Sequence, residues 1–234
     1  LCGQKPLTRR SSRPACGGRL SFFVRHRMFL DAVRAVVPST PPGFRPNVCP
    51  DQYVGVISDL EQGAADFPER LTAINRPANR PCVLLVLESP HIREFLEPPG
   101  PAKGSTGRLI RSHLQAILGD QVDPSNGLVL VNAVQNQCSL GRPPKEHRDA
   151  VFTSAWKLYA EAAFVQRLRS LLRADDYVIN ACTKGNSRKG NPELRQLVET
   201  AISSVRPDGS DSRRLHPASW ASPLHRSASW VGDA

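Results

Sequence analysis

The feature that most constrains the fold is a short apolar run, Cys82–Leu87, which polar residues and then a helical pattern follow directly. The run holds valine and leucine without alternation, which is typical of a strand buried on both faces of a sheet. Pro90 ends ladder pairing because it has no backbone N–H. A glycine-bearing loop leads to apolar residues on one helical face from about Thr106. Polar residues beyond a buried strand end predict a ligand site.

The alternation of strand and helix continues along the chain. The elements predicted in order are strand 127–131, helix 149–172, strand 177–181, helix 192–205 and a short strand at 214–215. Residues 51–75 carry no strong period, and we expect two short helices there. Strands that alternate with helices predict an α/β fold, a three-layer αβα sandwich around a central four-stranded parallel sheet.

The positive charge is concentrated near the N-terminus. Residues 1–45 carry nine basic residues and one acidic residue, which leaves +8 of a formal total of +10. Their composition predicts a basic, Pro-rich arm with one helix, at 22–37. We expect the α/β domain to occupy 46–225 and a tail to occupy 226–234. A basic balance confined to an arm supports DNA binding only weakly.

Several classes of protein are disfavoured. No apolar run approaches the roughly 20 residues of a membrane span, and no secretory h-region is seen, so we expect a soluble, cytoplasmic protein with no membrane contact. The chain shows no P-loop, no G-x-S-x-G elbow and no clustered metal ligands, which disfavours an unrelated α/β hydrolase. We expect no cofactor, and a monomer, although the oligomeric state is left open. The cysteines lack C-x-x-C spacing and are expected to be reduced thiols: Cys2, Cys16, Cys49, Cys82, Cys138 and Cys182.

Three motifs, in order along the chain, resemble those of the uracil-DNA glycosylase superfamily. The first runs from Glu88 (ESPH) through Glu94 to the glycine loop 104–107, and is closest to the bacterial iron–sulfur branch. The second is the strand that ends in Asn132, similar to the strand that carries the base-reading asparagine of classical members. The third, HPASW at 216–220, resembles their closing motif. The resemblance implies an enzyme that flips a base out of DNA and hydrolyses its N-glycosidic bond.

The resemblance implies a catalytic role for three residues. Cleavage develops positive charge on the sugar and negative charge on the departing base. Glu88 would stabilise the cation or orient water, and His216 would donate to the base. Ser89 stands where classical members carry a water-activating Asp, and because a serine is no base near neutral pH, we do not expect that mechanism in its classical form. A strand-end residue that caps the next loop is the structural alternative for Glu88.

The resemblance also implies substrate-binding residues. Asn132 would present its amide to a flipped base, donating and accepting in one plane, and Asn136 could do the same. Glu94 matches the second acid of the iron–sulfur branch. Ala102 replaces a Phe that stacks on uracil in that branch, and His91 replaces a Tyr that excludes 5-substituted pyrimidines in classical members. Because Ala cannot fill the volume of Phe, we expect a pocket for a bulky base, such as a hypermodified phage pyrimidine, and a role in antiviral defence or DNA repair.

DNA contacts are implied at two loops and in the closing motif. Backbone N–H groups and a cation would bind phosphates, and an aromatic wedge would fill the space of the flipped nucleotide, through Gly104, Ser105, Lys184, Gly185, Ser219 and Trp220. The paired cysteines of the iron–sulfur branch are not reproduced, so we expect no cluster and no other metal. The alternative function is a catalytically inactive nucleic-acid-binding module, in which Ser89 marks lost chemistry.

Overall fold

The computed structural model describes residues 22–37, 39, 47–140, 144–185, 192–226 and 228–230. Outside these ranges lie the predicted arm before residue 22, the end of the predicted tail, and Cys2 and Cys16. The described chain is an α/β fold with one six-stranded mixed sheet, so the predicted class is confirmed.

The sheet has more strands than the sequence predicted. The strands are β1 Gln52–Val56, β2 Leu71–Thr72, β3 Cys82–Leu87, β4 Gly127–Asn132, β5 Tyr177–Asn180 and β6 Ser212–Arg213. Their order across the sheet is β2-β1-β4-β3-β5-β6, and the last four run parallel. Because β1 pairs antiparallel with β2 and β4, the prediction of a four-stranded parallel sheet is wrong. The two added strands were missed because Gly55 breaks the pattern of β1 and β2 has two residues.

The helices agree better with the sequence pattern. They are α1 Phe22–Arg34, α2 Ser105–Leu118, α3 Pro144–Ala155, α4 Glu161–Leu171, α5 Leu194–Ser203 and α6 Pro223–Arg226. A π-helical turn, Trp156–Ala160, joins α3 to α4, so that the long predicted helix is continuous but locally wider. Where two short helices were expected in 51–75, the chain forms single 3-10 turns. None of the helices within the described ranges has the length and apolarity that a bilayer crossing requires.

Strand β3 shows why helices cover both faces of the sheet. Its residues at 82, 84 and 86 belong to one buried cluster, together with side chains from α1, α3, α4 and α5. Its residues at 83, 85 and 87 belong to a second cluster, together with side chains from α2. Each fully buried Leu or Val contributes roughly 1.5–3 kcal/mol relative to exposure. Burial of both faces stabilises β3, and with it the strand end that the polar residues follow.

Both predicted tails contribute to the core. Phe29 and Val33 of α1 are buried against the rest of the domain, so this helix is not part of a separate arm. At the other end, the Trp230 indole is buried, its Nε1 donates to the Asn180 carbonyl at 3.3 Å, and the Arg195 guanidinium lies 4.8 Å from its ring centroid. The packed domain therefore extends beyond the predicted limits of 46 and 225.

Candidate functional site

A pocket of about 600 Å³ opens at the carboxyl ends of β3 and β4. Open α/β sheets bind ligands at this edge, because the strand ends and their loops converge there. From the first predicted motif the pocket is lined by Glu88, Ser89, His91, Glu94, Gly104 and Ser105. From the second and third motifs it is lined by Asn132, His216 and Ser219. Residues that are far apart in the sequence therefore meet at a single cavity.

Glu88, directly after β3, is a buried carboxyl group in this pocket. One oxygen accepts a hydrogen bond from Ser89 Oγ at 2.7 Å, and the other lies 3.4 Å from Arg148 Nε. Burial raises the pKa of Glu88 to about 7, against the lowering effects of Arg148 and Ser89. Glu88 therefore exchanges between acid and carboxylate near neutral pH, as suits a general base. Ser89 contacts the carboxyl group as a donor.

Arg148 is a pocket residue that the sequence reasoning missed. It lies on α3, lines the pocket, and also pairs with Asp149 Oδ1 at 2.7 Å. Its side chain is 18% exposed. The charged run KEHRD around it is typical of a solvated helix face, so nothing in the local sequence distinguished it. The pocket is also lined by Arg93, Thr106, Ser139 and Thr183, which no motif indicated.

Asn132, the last residue of β4, is 1% exposed. Its Nδ2 donates to Glu94 Oε2 at 3.5 Å and to Cys49 Sγ at 3.8 Å. Among the described residues, none hydrogen-bonds to its Oδ1, which is buried. A buried polar atom without a partner costs about 1–3 kcal/mol. The residue that carries this unpaired oxygen lines the pocket.

The main chain at Asn132 is fixed from behind. Arg167 Nη2 donates to the carbonyl oxygens of Asn132 and Ala133, at 3.0 Å each. Arg167 Nη1 is paired with Asp51 Oδ2 at 2.5 Å. These contacts come from α4 and from Asp51, the residue before β1. They hold the end of β4, whose last residue lines the pocket.

Glu94 lies on a 3-10 turn, Ile92–Phe95, and is 6% exposed. Burial raises the pKa of Glu94 to about 8, although Asn132 and the backbone N–H groups of His91 and Ala102 hydrogen-bond to its carboxyl group. Ala102 is fully buried, and the pocket lining of the described residues does not include it. Ala102, predicted as a substrate-binding residue, is therefore not part of the pocket lining, and its backbone N–H bonds to Glu94 instead.

The glycine loop approaches α2 closely. A Cβ at Gly107 would collide with the carbonyl oxygen of Ala102, and Ala102 itself adopts a φ of 56°. Only glycine allows α2 to pack this tightly against the loop. The first turn of α2, with Gly104 and Ser105, thereby reaches the pocket wall. Their contact with DNA stays a prediction.

His216 is a neutral hydrogen-bond donor. Its Nδ1 accepts from the backbone N–H of Ala218 at 3.2 Å, so the proton of the neutral ring is on Nε2. Burial, with help from Arg148, lowers the pKa of His216 to about 4, although the ring keeps some solvent exposure. His91 makes a similar contact, since its Nδ1 accepts from the Arg93 N–H at 3.3 Å. Burial and Arg93 also lower the pKa of His91.

Two predicted residues lie away from the pocket. Trp220 is 0% exposed in the core beneath α2, and its Nε1 donates to the Leu215 carbonyl at 2.8 Å, so the prediction of a DNA wedge is wrong. Asn136 Oδ1 accepts from the Tyr159 hydroxyl at 2.7 Å, and Nδ2 donates to the Asn47 carbonyl at 3.3 Å. Asn136 lines a separate cavity of about 170 Å³, so the prediction that it reads the base is wrong.

The second predicted phosphate loop stands beside the pocket. Lys184 Nζ is 3.0 Å from Glu193 Oε1, and its side chain is 57% exposed. Gly185 has a φ of 78°, and the adjacent Thr183 lines the cavity. The exposed ammonium group remains accessible to a phosphate. A role of Lys184 and Gly185 in DNA binding stays a prediction.

Within the described ranges, potential metal ligands are not clustered and the cysteine thiols are buried. There, no group of three or more His, Cys, Asp or Glu residues is placed to hold a metal ion. Cys49, Cys82, Cys138 and Cys182 are free and buried. Burial raises the pKa of the Cys49 thiol, as it does for the other three, so all four are protonated at neutral pH.

The pocket combines four chemical groups: a carboxyl group that titrates near neutrality, a neutral imidazole donor, a guanidinium group and an unpartnered amide oxygen. Such a set can stabilise a developing cation and a developing anion at once. Comparison of the chain with known protein families, with curated proteins and with solved structures found no match. The function is therefore inferred from the geometry of the site and from the motifs.

Proposed function

We propose that this protein is a monofunctional DNA glycosylase, which flips a modified pyrimidine out of DNA and hydrolyses its N-glycosidic bond. The observation that carries the proposal is the convergence of Glu88, Asn132 and His216 on one pocket. The three motifs that resemble the uracil-DNA glycosylase superfamily supplied these residues independently of any contact between them. The parallel order of β4, β3 and β5, with the pocket at their carboxyl ends, supports a fold of that kind.

Each group has a place in the reaction. The flipped base would donate an N–H to the Asn132 oxygen, and the neutral His216 would donate its Nε2 proton toward negative charge on the base. Glu88, as a carboxylate, would stabilise the sugar cation and orient water. Water adds to the anomeric carbon, the C–N bond breaks with its electron pair going to the base, and the proton of the water passes to Glu88.

The size of the pocket supports a substituted base. About 600 Å³ is within the range of pockets that enclose drug-sized molecules. An unsubstituted pyrimidine ring is smaller than such molecules and would leave part of the cavity to water. A hypermodified pyrimidine, such as those of phage DNA, would fill it, and the biological role would be antiviral defence or DNA repair.

Leu224 takes the place of Trp220 as the proposed wedge. It lies on the short helix α6, and its side chain is 83% exposed. Arg226 Nε of the same helix donates to the Trp220 carbonyl at 2.7 Å, which ties α6 to the segment that carries His216 and Ser219. An exposed apolar side chain on a helix that is bonded to this segment can enter the base stack when a nucleotide leaves it.

The proposal is tested by mass-spectrometric detection of bases released from genomic DNAs, both unmodified and phage-modified. We expect release of one class of base, with a rate that rises with pH as Glu88 ionises near pH 7. Glu88→Ala and Asn132→Ala should each lower the rate about 100-fold or more. Asn136→Ala is the matched control, because that amide lies outside the pocket, and it should retain activity in the folded protein.

The opposite result is equally informative. If no DNA in the panel releases a base while the protein still retards DNA on a gel, the glycosylase proposal fails. The protein would then be an inactive nucleic-acid-binding module. Circular dichroism of each variant separates loss of chemistry from loss of folding.

A further inference from the structure

Arg148 lines the pocket with a guanidinium group that is only partly hydrogen-bonded. We infer that Arg148 is a further catalytic residue, whose two amino groups bind the departing base as an anion. The inference rests on the proposed function and adds a group that receives the negative charge of the leaving base. Without Arg148, only the neutral ring of His216 would donate to that charge.

One nitrogen of the Arg148 guanidinium group is engaged by the protein, and two are not. Nε donates to Asp149 Oδ1 at 2.7 Å and lies 3.4 Å from Glu88 Oε2. No described residue hydrogen-bonds to Nη1 or Nη2, and neither atom is sealed from solvent. Because both acidic residues contact Nε, the two amino groups are left to donate to a ligand in the pocket. Such a pair of amino groups can bind two oxygen atoms at once.

The charge of Arg148 acts on two of the predicted catalytic groups. Burial raises the pKa of Glu88 to about 7 and lowers the pKa of His216 to about 4, and the Arg148 charge lowers the pKa of each. Since such effects act over a short range, the guanidinium group lies near both side chains. A base that accepts a hydrogen bond from His216 would therefore be within reach of the Arg148 charge.

The reaction replaces one counter-charge of Arg148 by another. At the start, the Glu88 carboxylate and Asp149 both face the guanidinium group. Water adds to the anomeric carbon, its proton passes to Glu88, and the C–N electron pair leaves with the base. One carboxylate is thus neutralised as one anion forms, which avoids the cost of an unpaired charge in a buried site. Burial raises the pKa of each thiol and lowers that of the imidazole, so the other titratable groups on which this charge acts are uncharged near neutral pH: Cys138, Cys182 and His216.

The test uses two free bases that differ in charge. 5-Nitrouracil is an anion near neutral pH and mimics the departing base, whereas thymine carries a 5-methyl group and is neutral. Calorimetry should show that the unaltered protein binds 5-nitrouracil about tenfold or more tightly than thymine, since hydrogen bonds between charged groups are roughly twice as strong as neutral ones. Equal affinities, or no binding of the anion, would overturn the inference.

Replacement of the guanidinium group should remove this preference. In Arg148→Gln the two affinities should agree within about threefold, while Arg148→Lys keeps the charge and should retain part of the preference. Arg169→Gln is the matched control, because Arg169 is exposed on α4 and is not among the described residues that line the pocket. A preference that persists in Arg148→Gln would contradict the inference. The comparison of the two bases on the unaltered protein still decides if the Arg148 variants do not fold.

Glu88 should compete with the anion for Arg148. Affinity for 5-nitrouracil should fall as pH rises through about 7, because the ionised Glu88 carboxylate pairs with the guanidinium group and repels an anion. In Glu88→Gln the fall should begin only near pH 8, where Glu94, which also lines the pocket, ionises. The same pH dependence in both proteins would mean that the anion does not replace Glu88 beside Arg148, and the inference would be wrong.

Kinetic measurements separate this inference from the proposed function. If a base is released, Arg148→Gln should lower kcat about 100-fold with little change in KM, because the charge on the base exists only as the bond breaks. An unchanged kcat would overturn the inference and leave the glycosylase proposal standing. If no DNA releases a base, the glycosylase proposal fails, and the affinities for the two free bases alone decide whether Arg148 is an anion-binding residue.

Discussion

Charged groups are buried at both ends of the parallel strands, but their hydrogen-bond partners and their access to a pocket differ. At the amino ends of β3 and β5, the side chains of Arg76 and Asp176 are 2% and 0% exposed. At the carboxyl ends, Glu88, Glu94 and Asn132 are buried as deeply around an open pocket. The same sheet therefore offers an internal comparison of two buried polar clusters.

The amino-end cluster is fully bonded. Asp176 Oδ1 accepts from Arg76 Nη1 at 3.0 Å and from the Cys82 N–H at 2.9 Å. Its Oδ2 accepts from Arg76 Nη2 at 2.6 Å and from the Arg173 N–H at 2.8 Å. Arg76 Nη2 also donates to the Leu171 carbonyl. These bonds join the beginnings of β3 and β5 to each other and to the end of α4, which is a structural task.

The carboxyl-end cluster is left incomplete. The Asn132 oxygen has no partner among the described residues, and burial raises the pKa values of Glu88 to about 7 and of Glu94 to about 8. A stable fold gains nothing from unpaired buried groups. The difference teaches that burial of charge alone does not indicate a candidate site, whereas buried carboxyl groups with raised pKa values beside an open pocket do.

The largest expected effect is on stability at the amino end. Asp176→Asn leaves the buried Arg76 without its counter-charge and should lower the free energy of unfolding by about 3–5 kcal/mol. Urea denaturation measures this loss. The exposed pair Asp31–Arg34 provides the control, since Asp31→Asn should change stability by about 0.5 kcal/mol or less. A large loss of base release per folded molecule in Asp176→Asn would contradict the division between the two ends.

A smaller effect is expected at the carboxyl end, in the pH dependence of stability. Because the folded protein holds the pKa of Glu94 near 8, above its ordinary 4.5, the folded state binds this proton more tightly than the unfolded state. Stability should therefore fall as pH rises from about 4.5 to 8. Glu94→Gln should flatten this fall by roughly 1–3 kcal/mol.

Thermal unfolding at several pH values between 4.5 and 8.5 measures this change. Glu161→Gln, at an exposed position on α4, should leave the slope as it is in the unaltered protein. An unchanged slope in Glu94→Gln would mean that this carboxyl group is ionised throughout the range. The two ends of the sheet would then be electrostatically alike.

The smallest expected effect is at the exposed side chain of α6. Leu224→Ala should slow base release from duplex DNA about fivefold, because a smaller side chain stabilises the opened stack less. Release from single-stranded DNA should not change, since no stack needs to be opened. Leu158→Ala, at another exposed leucine, is the control. Equal slowing on both substrates would show that Leu224 does not act as a wedge.

The sequence predicted the strand-end residues well, because apolar runs that stop at polar residues have a simple meaning. Glu88 directly follows β3 and Asn132 ends β4, and parallel strands bring such ends together. Arg148 could not be found in this way, since its helix reaches the pocket only through tertiary packing. Strands β1 and β2 were missed for a related reason, because pairing of β1 with β4 and of β2 with β1, and not local pattern, makes them strands.

Two errors arose where similar residues have different surroundings. Asn132 and Asn136 are four positions apart in one polar segment, and only the geometry beyond β4 separates the pocket from the cavity beside Tyr159. Trp220 and Leu224 are both apolar, and sequence favoured the aromatic ring. The Trp220 ring is buried, and its indole N–H donates to the Leu215 carbonyl, whereas the Leu224 side chain is exposed.

The π-helical turn at Trp156–Ala160 separates the two arginines that serve the site from one helix. Arg148, before the turn, faces the cavity, and Arg167, after it, holds the end of β4. Each residue of an α-helix advances the direction of a side chain by about 100°. Deleting one residue within the turn would therefore rotate everything beyond it relative to α3. The number of residues between these arginines therefore determines the site as much as their identity does. A shortened segment would keep both side chains but would change the position of one relative to the other.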